Sequence, residues 1–518
     1  MVNAMLMKTN NQFIDIEEVN WLTLTSVSSI DVVGKVFSYR GKVFRAINEE
    51  MTDYVHELFD KNIVRKLVER GLLIDTRRTE LQLKDYPLIL WHEKIPHITK
   101  PAFWPWEFYR KAGMKFIELN EVLMNWGLAT CDGHQENIMM HNNCSPVFID
   151  FGSILPLNMS NNGLTSLKQF KGCFFNMMLL RAQKPELENI LRYICYHKGS
   201  ILDNEYQAIT GDLIEAPYHD REMCLRFYKA LLPKLRFENT KTVWTGYHKE
   251  NDFDFEKLQE SEDTRAYTVL RLLKAKQPKT LVDIAANAGK FSLMAAWLGA
   301  KVYAFDIHGA AIEKLYSRVA GEESSLDVSV GVHGIYRGDR YNFWQLPLAA
   351  KGEVALSLAI SHHLSITQKK PMNFIAQTLA AYCDKTLISE FMPYGLGNTK
   401  YYPDPFPEDY SLSNYLTAFD SLFERVKVIF YPTRKHWSFR IMLVFEGKLT
   451  SGDSAREIEK SYFVCHTDKL DHDDYILRVL CPECNSIFHV EDKSHISCPM
   501  CNGNTAYNQD EELLFSSM

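Results

Sequence analysis

Several common features are scarce in this 518-residue chain, and each absence narrows what it is. Cysteine is sparse: of eleven, four form one tight cluster and the rest are scattered. That usage belongs to a reducing compartment with a metal site, not to a disulfide framework. No apolar run approaches the ~18 residues a membrane span requires. The opening Met1-Val-Asn-Ala-Met-Leu-Met-Lys8 has neither the sustained apolar core nor the cleavage pattern of a secretory signal. Together these point to the cytoplasm. Basic charge is not in excess either, and the net charge of −7 argues against a general nucleic-acid binder. Internal repeats and low-complexity tracts are missing.

What remains is an ordinary folded composition, 46% hydrophobic and 24% charged. Its length suggests about three domains. The most informative stretch runs from Thr280 to Asp306. It reads as a buried strand, a tight turn of small residues, an amphipathic helix and a second strand ending in an acid. This is the opening βαβ unit of a doubly wound sheet, where ligands sit beyond the carboxyl ends of the strands. The turn lacks G-x-G-x-x-G and Lys-Ser/Thr, so neither a dinucleotide nor a P-loop phosphate is its natural guest. A nucleoside carrying an amino-acid tail fits better, and the spacing resembles the cofactor site of class I S-adenosylmethionine methyltransferases. Asp306 is placed to accept ribose hydroxyls. Asp283 is placed to meet an ammonium, directly or through water. Ala285, Asn287 and Gly289 shape the turn, where small residues let backbone approach a ligand. Ala285 stands where that family usually has glycine; it costs little if φ is negative, and otherwise tightens the pocket.

The strand Val354–Ile360 is followed by Ser361-His362-His363-Leu364, at a strand end beside the first strand. An imidazole there suits general-base work near neutrality. Otherwise one histidine caps the strand or lines the adenosyl pocket. Glu390, closing the strand Thr386–Phe391, projects at the same edge and is placed to orient substrate or histidine.

Earlier in the chain, Val33–Ile47 alternates around Arg40-Gly41 as a β-hairpin, and Glu49–Arg70 has helical spacing that stops near Gly71. Leu88–Trp91 reads as a strand and Trp106–Trp126 as a helix. Asp132 and Asn137 then precede Asp150-Phe-Gly152. Their order resembles the catalytic loop and metal-binding Asp-Phe-Gly of protein-kinase-like phosphotransferases, which surround Mg-ATP. Thr130 replaces the usual histidine, no Gly-rich loop is evident, and only Arg45 stands near the place of the nucleotide lysine. A degenerate kinase-like module is therefore favoured over an active kinase. Otherwise Asp132 and Asp150 simply hold turns.

At the other end, Cys481, Cys484, Cys498 and Cys501 form C-x2-C-x13-C-x2-C, the tetrahedral thiolate set of structural Zn²⁺. No basic face accompanies it, so a protein partner or packing is expected of this ribbon and nucleic acid is not. His489, His495 and the Cys465-His466 pair are alternative ligands, but four cysteines suffice.

The expected organisation is a kinase-like α+β module over 1–156, a helical connecting subdomain over 157–260, an α/β doubly wound methyltransferase sheet over 261–446, and a zinc ribbon over 460–510. A charged linker spans 447–459. From about 33 to 446 the chain resembles bacterial class I methyltransferases of the nodulation-protein type. The resemblance rests on Trp104-Pro-Trp-Glu-Phe108, the Asp132…Asn137 loop, Pro146–Asp150, Thr242–Tyr247, Asp283…Gly289, Leu358–Leu364 and Ile388–Pro393. It implies S-adenosylmethionine-dependent transfer to a surface-glycan or other small hydroxyl-bearing acceptor. Two other readings stay open: a bifunctional kinase-methyltransferase acting on a polysaccharide, and a zinc-bearing scaffold without catalysis.

Overall fold

The structure is a computed structural model that describes residues 13–22, 31–238, 253–258, 264–320, 325–335, 351–392, 407, 409–431, 440–450, 457–464, 477–480, 487–490, 496–497 and 504–505. The chain divides into two compact units, Met1–Thr240 and Lys241–Met518.

In the first unit, five antiparallel strands form one sheet: β1 (Asn20–Trp21), β2 (Gly34–Tyr39), β3 (Lys42–Ile47), β4 (Thr76–Arg78) and β5 (Leu88–His92), in the order β1-β2-β3-β5-β4. The β2–β3 hairpin turns at Arg40 and Gly41, with φ of 47° and 75°, matching the right-handed strand twist. The single helix expected over 49–70 is two, α1 (Thr52–Asp60) and α2 (Ile63–Glu69), broken where Asn62 takes φ 57°. Asparagine tolerates that conformation. The apolar face continues across the break, with Val55, Leu58, Ile63, Val64 and Leu67 all buried, so periodicity alone reads through it.

Next come α3 (Trp106–Met124) and two small antiparallel sheets, which pair β6 (Leu128–Thr130) with β9 (Ile154–Pro156) and β7 (Ile138–His141) with β8 (Ser145–Phe148). Five helices complete the described part: α4 (Leu164–Phe170), α5 (Asn176–Gln183), α6 (Glu188–His197), α7 (Asp203–Thr210) and α8 (Arg221–Leu231). Arg192 of α6 donates to the carbonyls of Ala102 and Trp104 at 2.9 and 3.0 Å. Its guanidinium also lies 5.3 Å from the Trp106 ring centroid. The Trp104-Pro-Trp segment is therefore a packing device.

In the second unit, α9 (Thr264–Lys276) leads into an eight-stranded sheet. Its strands are β10 (Thr280–Ile284), β11 (Lys301–Asp306), β12 (Val328–Val332), β13 (Gly352–Ser357), β14 (Cys383–Phe391), β15 (Phe423–Tyr431), β16 (Arg440–Lys448) and β17 (Glu459–Val464). The order is β12-β11-β10-β13-β14-β16-β15-β17. The first five run parallel and β16 is antiparallel to both its neighbours. Helices α10 (Lys290–Trp297), α11 (Gly309–Val319), α12 (Met372–Ala380) and α13 (Leu412–Thr417) cover it. The parallel strands are buried on both faces, as helices on both sides require. One strand joins beyond position 446: β17 pairs parallel with β15 at the edge. The order in which strands are added switches sides between the parallel β10 and β13, and their carboxyl ends border the crevice where such folds bind ligands.

Farther along, two short hairpins pair β18 (Leu477–Leu480) with β19 (Ile487–Val490), and β20 (Ile496–Ser497) with β21 (Asn504–Thr505). No helix among the described residues is long and apolar enough to cross a membrane.

Candidate functional site

Beyond β10 the backbone enters the left-handed region three times, at Ala285 (φ 57°), Asn287 (51°) and Gly289 (79°). The conditional expectation for Ala285 thus resolves on its costly side. A left-handed alanine carries about 1–2 kcal/mol of strain. Gly289 is needed twice over, since a Cβ there would also overlap Leu315 of α11. Ala359, just past β13, shares the conformation at φ 56°. Two strained alanines thus flank the crevice at adjacent strand ends, a pattern that clusters at functional sites.

The turn folds onto Asp306. Its Oδ2 accepts the Asn287 N–H at 2.9 Å and its Oδ1 accepts the His308 N–H at 2.8 Å. A carboxylate oxygen has two acceptor positions, so accepting one N–H does not by itself preclude a hydroxyl. Burial pushes the Asp306 carboxyl up, and these two backbone bonds oppose the shift. Ile307 beside it is 67% exposed, an apolar surface at the mouth. Asp283 is buried and accepts the Ser292 hydroxyl at 2.6 Å. Burial raises its pKa to about 7, with Asp306 adding repulsion and Arg265 opposing it. A cationic guest beside Asp283 would restore its ionised form.

The neighbouring edge is built differently from the sequence expectation. Glu390 is fully buried and bound by two arginines that sequence reasoning missed. Arg265 of α9 lies 2.9 Å from Oε2, and Arg440 at the start of β16 lies 3.2 Å from the same oxygen. Glu390 therefore holds two cations in place. Ser361 Oγ donates to the Glu390 carbonyl at 2.9 Å, tying the histidine segment to β14. His362 is fully buried, and a π-helical turn begins at His363. The rings lie 4.1 Å apart, so the adjacent histidines converge although extended chain would point them apart. Burial, then His363, Arg440 and Arg265, lower the His362 pKa to about 2. That leaves it neutral and a weak proton acceptor. His363 is partly exposed, and its pKa is lowered by burial and by His308. On the far side, His333 stacks on Phe305 with centroids 4.2 Å apart. It also meets the Tyr303 hydroxyl at 2.7 Å.

In the first unit, Arg45 of β3 ion-pairs with Asp31 and, at 3.0 Å, with Asp150. Burial pushes the Asp150 carboxyl up and Arg45 opposes it. Gly152 is accounted for by this knot, because a Cβ there would overlap the Arg45 guanidinium and Asp31. Asp132 accepts the His134 N–H at 3.1 Å, a local turn bond. Asn137 Nδ2 finds no acceptor among the described residues. A magnesium site fits poorly here: a resident guanidinium already neutralises Asp150, and no metal-holding group of three His, Cys, Asp or Glu occurs among the described residues.

Cys481, Cys484, Cys498 and Cys501 lie outside the described residues, as do Thr242–Tyr247. The strands around the cysteines are described. β18 ends one residue before Cys481 and β19 begins three after Cys484; β20 and β21 stand identically to Cys498 and Cys501.

No family model matches the chain. The nodulation protein NoeA of Rhizobium meliloti (strain 1021) is 23% identical over 409 residues, covering 70% of this chain and 83% of that protein. Among solved structures, magnesium protoporphyrin IX methyltransferase (ChlM) from Synechocystis PCC 6803 with bound SAH is 19% identical, covers 36% of this chain and 83% of its own, and has a TM-score of 0.26. The bifunctional kinase-methyltransferase WbdD is 17% identical, with 42% of this chain and 45% of that one covered and a TM-score of 0.27. The chain thus shows weak homology to NoeA over most of its length.

Proposed function

We propose that the second unit is an S-adenosylmethionine-dependent methyltransferase acting on an oxygen of a small-molecule or glycan acceptor. The observation that carries this is the crevice beyond β10: a turn of small residues in left-handed geometry, facing a buried carboxylate oriented by the Asn287 and His308 N–H groups. S-adenosylmethionine, when bound, supplies a methyl carbon on a sulfonium. Asp306 takes the ribose hydroxyls, Asn287 and Gly289 hold the turn that admits the ligand, and Asp283 answers the ammonium. Ala285 keeps the turn narrow. On the acceptor side, Glu390 fixes Arg265 and Arg440, His362 is a neutral wall, and His363 is the more accessible imidazole. Catalysis is chiefly alignment of the attacking atom with the methyl carbon.

For the first unit we favour a degenerate kinase-like module over phosphoryl transfer, because Arg45 occupies Asp150. The four cysteines are proposed to bind structural Zn²⁺, supported by the identical strand spacing around each pair. That ribbon is offered as a protein contact. A non-catalytic scaffold is disfavoured by the two strained alanines, which a purely structural crevice does not require.

Mass spectrometry of cellular glycans, lipids and small molecules, with and without the protein, tests the reading. One class of molecule should lose a methyl group in its absence, and purified protein with deuteromethyl donor should restore it. An unchanged methyl inventory contradicts it.

A further inference from the structure

We infer that Tyr415 is a positioning residue for the proposed transfer, holding the His362-His363 turn in place through a chain of buried hydroxyls. This deepens the methyltransferase reading and rests on it.

The turn stands on unfavourable backbone. Ala359 takes φ 56° two residues before Ser361, and a π-helical turn opens at His363. Such geometry persists only where its surroundings over-determine it. Downstream, backbone bonds close the turn: the Gln368 N–H donates to the His363 carbonyl and the Lys370 N–H to the Leu364 carbonyl, each at 3.0 Å. Upstream, side chains hold it. Ser361 Oγ reaches the Glu390 carbonyl at 2.9 Å. The Tyr415 hydroxyl of α13 lies 2.8 Å from Ser389 Oγ, and the Ser361 hydroxyl is its second partner.

Each hydroxyl has one proton to donate. Ser361 gives its own to Glu390, so Tyr415 donates to Ser361 Oγ and Ser389 donates to Tyr415. The competing contact, from Ser389 Oγ to the Ser357 carbonyl, is long at 3.4 Å. One directed chain results, from Ser389 through Tyr415 and Ser361 to the Glu390 carbonyl, in which each bond polarises the next. Burial pushes the Tyr415 phenol up to about 12, so it keeps the proton it donates. Ser361, Ser389 and Tyr415 are at most 1% exposed. Hydroxyls are expensive to bury in an apolar core, and a satisfied network repays this by fixing one arrangement. Tyr415 cannot touch an acceptor from there and acts through Ser361, the neighbour of His362. Beyond it stands His363, the accessible imidazole. A misplacement of about 1 Å at such a group costs on the order of 100-fold in rate.

The test titrates ring-labelled histidines in the full-length protein by NMR, with the His363 signal assigned from His363→Gln. Calorimetry with S-adenosylhomocysteine and the rate of His363 modification by diethyl pyrocarbonate accompany it. Wild type, Tyr415→Phe, Ser361→Ala, their double variant and Tyr410→Phe are compared. The Tyr410 hydroxyl donates to the Met392 carbonyl at 2.6 Å, off the chain, so its loss controls for a purely structural effect. In the wild type, burial and His308 hold the His363 pKa below the ordinary imidazole range, with the His362 ring alongside. Tyr415→Phe should let it rise toward that range and speed modification about fivefold, the effect of one neutral hydrogen bond, with S-adenosylhomocysteine affinity unchanged. Ser361→Ala should do the same, and the double variant no more than either. An unmoved His363 in either single variant overturns the inference, as do additive effects in the double variant or an equal response in Tyr410→Phe. A wild type that binds no S-adenosylhomocysteine overturns the methyltransferase reading itself, and this inference with it, whatever His363 does.

Discussion

Replacing Asp283 by asparagine should make the ligand-free protein more stable at pH 8, and by less than half as much at pH 5. The folded pKa of Asp283 is about 7, against roughly 3.9 for an unfolded aspartate. The raised folded value means the native state holds the proton more tightly than the unfolded chain. Between pH 3.9 and 7 the native state thus binds more protons, and stability falls as pH rises. Above pH 7 the whole cost is present. Three units at 1.36 kcal/mol each come to on the order of 4 kcal/mol. Asparagine removes the charge and keeps an oxygen for the Ser292 hydroxyl, so most of that cost should vanish at pH 8. For a unit of this size the gain corresponds to roughly 10 °C in Tm. Thermal unfolding of the second unit's transition at both pH values measures it. Ligand binding should move oppositely: S-adenosylhomocysteine affinity should rise with pH toward 7 in the wild type, and be weak and flat in Asp283→Asn. A variant equally stable relative to wild type at both pH values would refute the reasoning.

Four further outcomes can be checked. Ala285→Gly relieves about 1–2 kcal/mol of left-handed strain and adds about 0.4–1 kcal/mol of unfolded-state entropy, so a net gain near 1 kcal/mol should appear in chemical denaturation. Arg45→Met leaves Asp31 and Asp150 without their cation and should cost about 3 kcal/mol in the first unit, read as a lowered first transition. In the wild type, Mg-ATP should produce no thermal shift. Elemental analysis should find one zinc per chain, and Cys484→Ser should lose it and leave the ribbon open to proteolysis.

Where the fold was legible in the sequence, local chemistry set it. Arg40-Gly41 defined a hairpin because Gly41 tolerates positive φ and the flanking residues alternate, and Thr264–Lys276 kept its helical spacing to the ends. The crevice was legible for the same reason: Asp283, Asn287, Gly289 and Asp306 lie within one βαβ unit, and the Asn287 amide donates to the Asp306 carboxylate. The rest depended on distant partners. Asn62 broke a helix whose apolar period never lapsed. Ala285 gave no sign of its backbone angle, because alanine ordinarily avoids the left-handed region that the fold imposes on it. Arg265 and Arg440 stood unremarked because their common partner, Glu390, lies 125 residues from one and 50 from the other in sequence. β17 was missed because all of it but Glu459 fell in the range given to the zinc ribbon, and its partner β15 lies some 30 residues earlier in the chain.

The central claim is that the crevice between Asp283 and Asp306 grips an adenosyl ligand, and isothermal titration calorimetry of the full-length protein with S-adenosylhomocysteine tests it most directly. One site per chain should be found, and Asp306→Ala should weaken it by about 10- to 100-fold through the loss of two charge-assisted hydroxyl bonds. No heat of binding in the wild type, or equal affinity in Asp306→Ala, would contradict it.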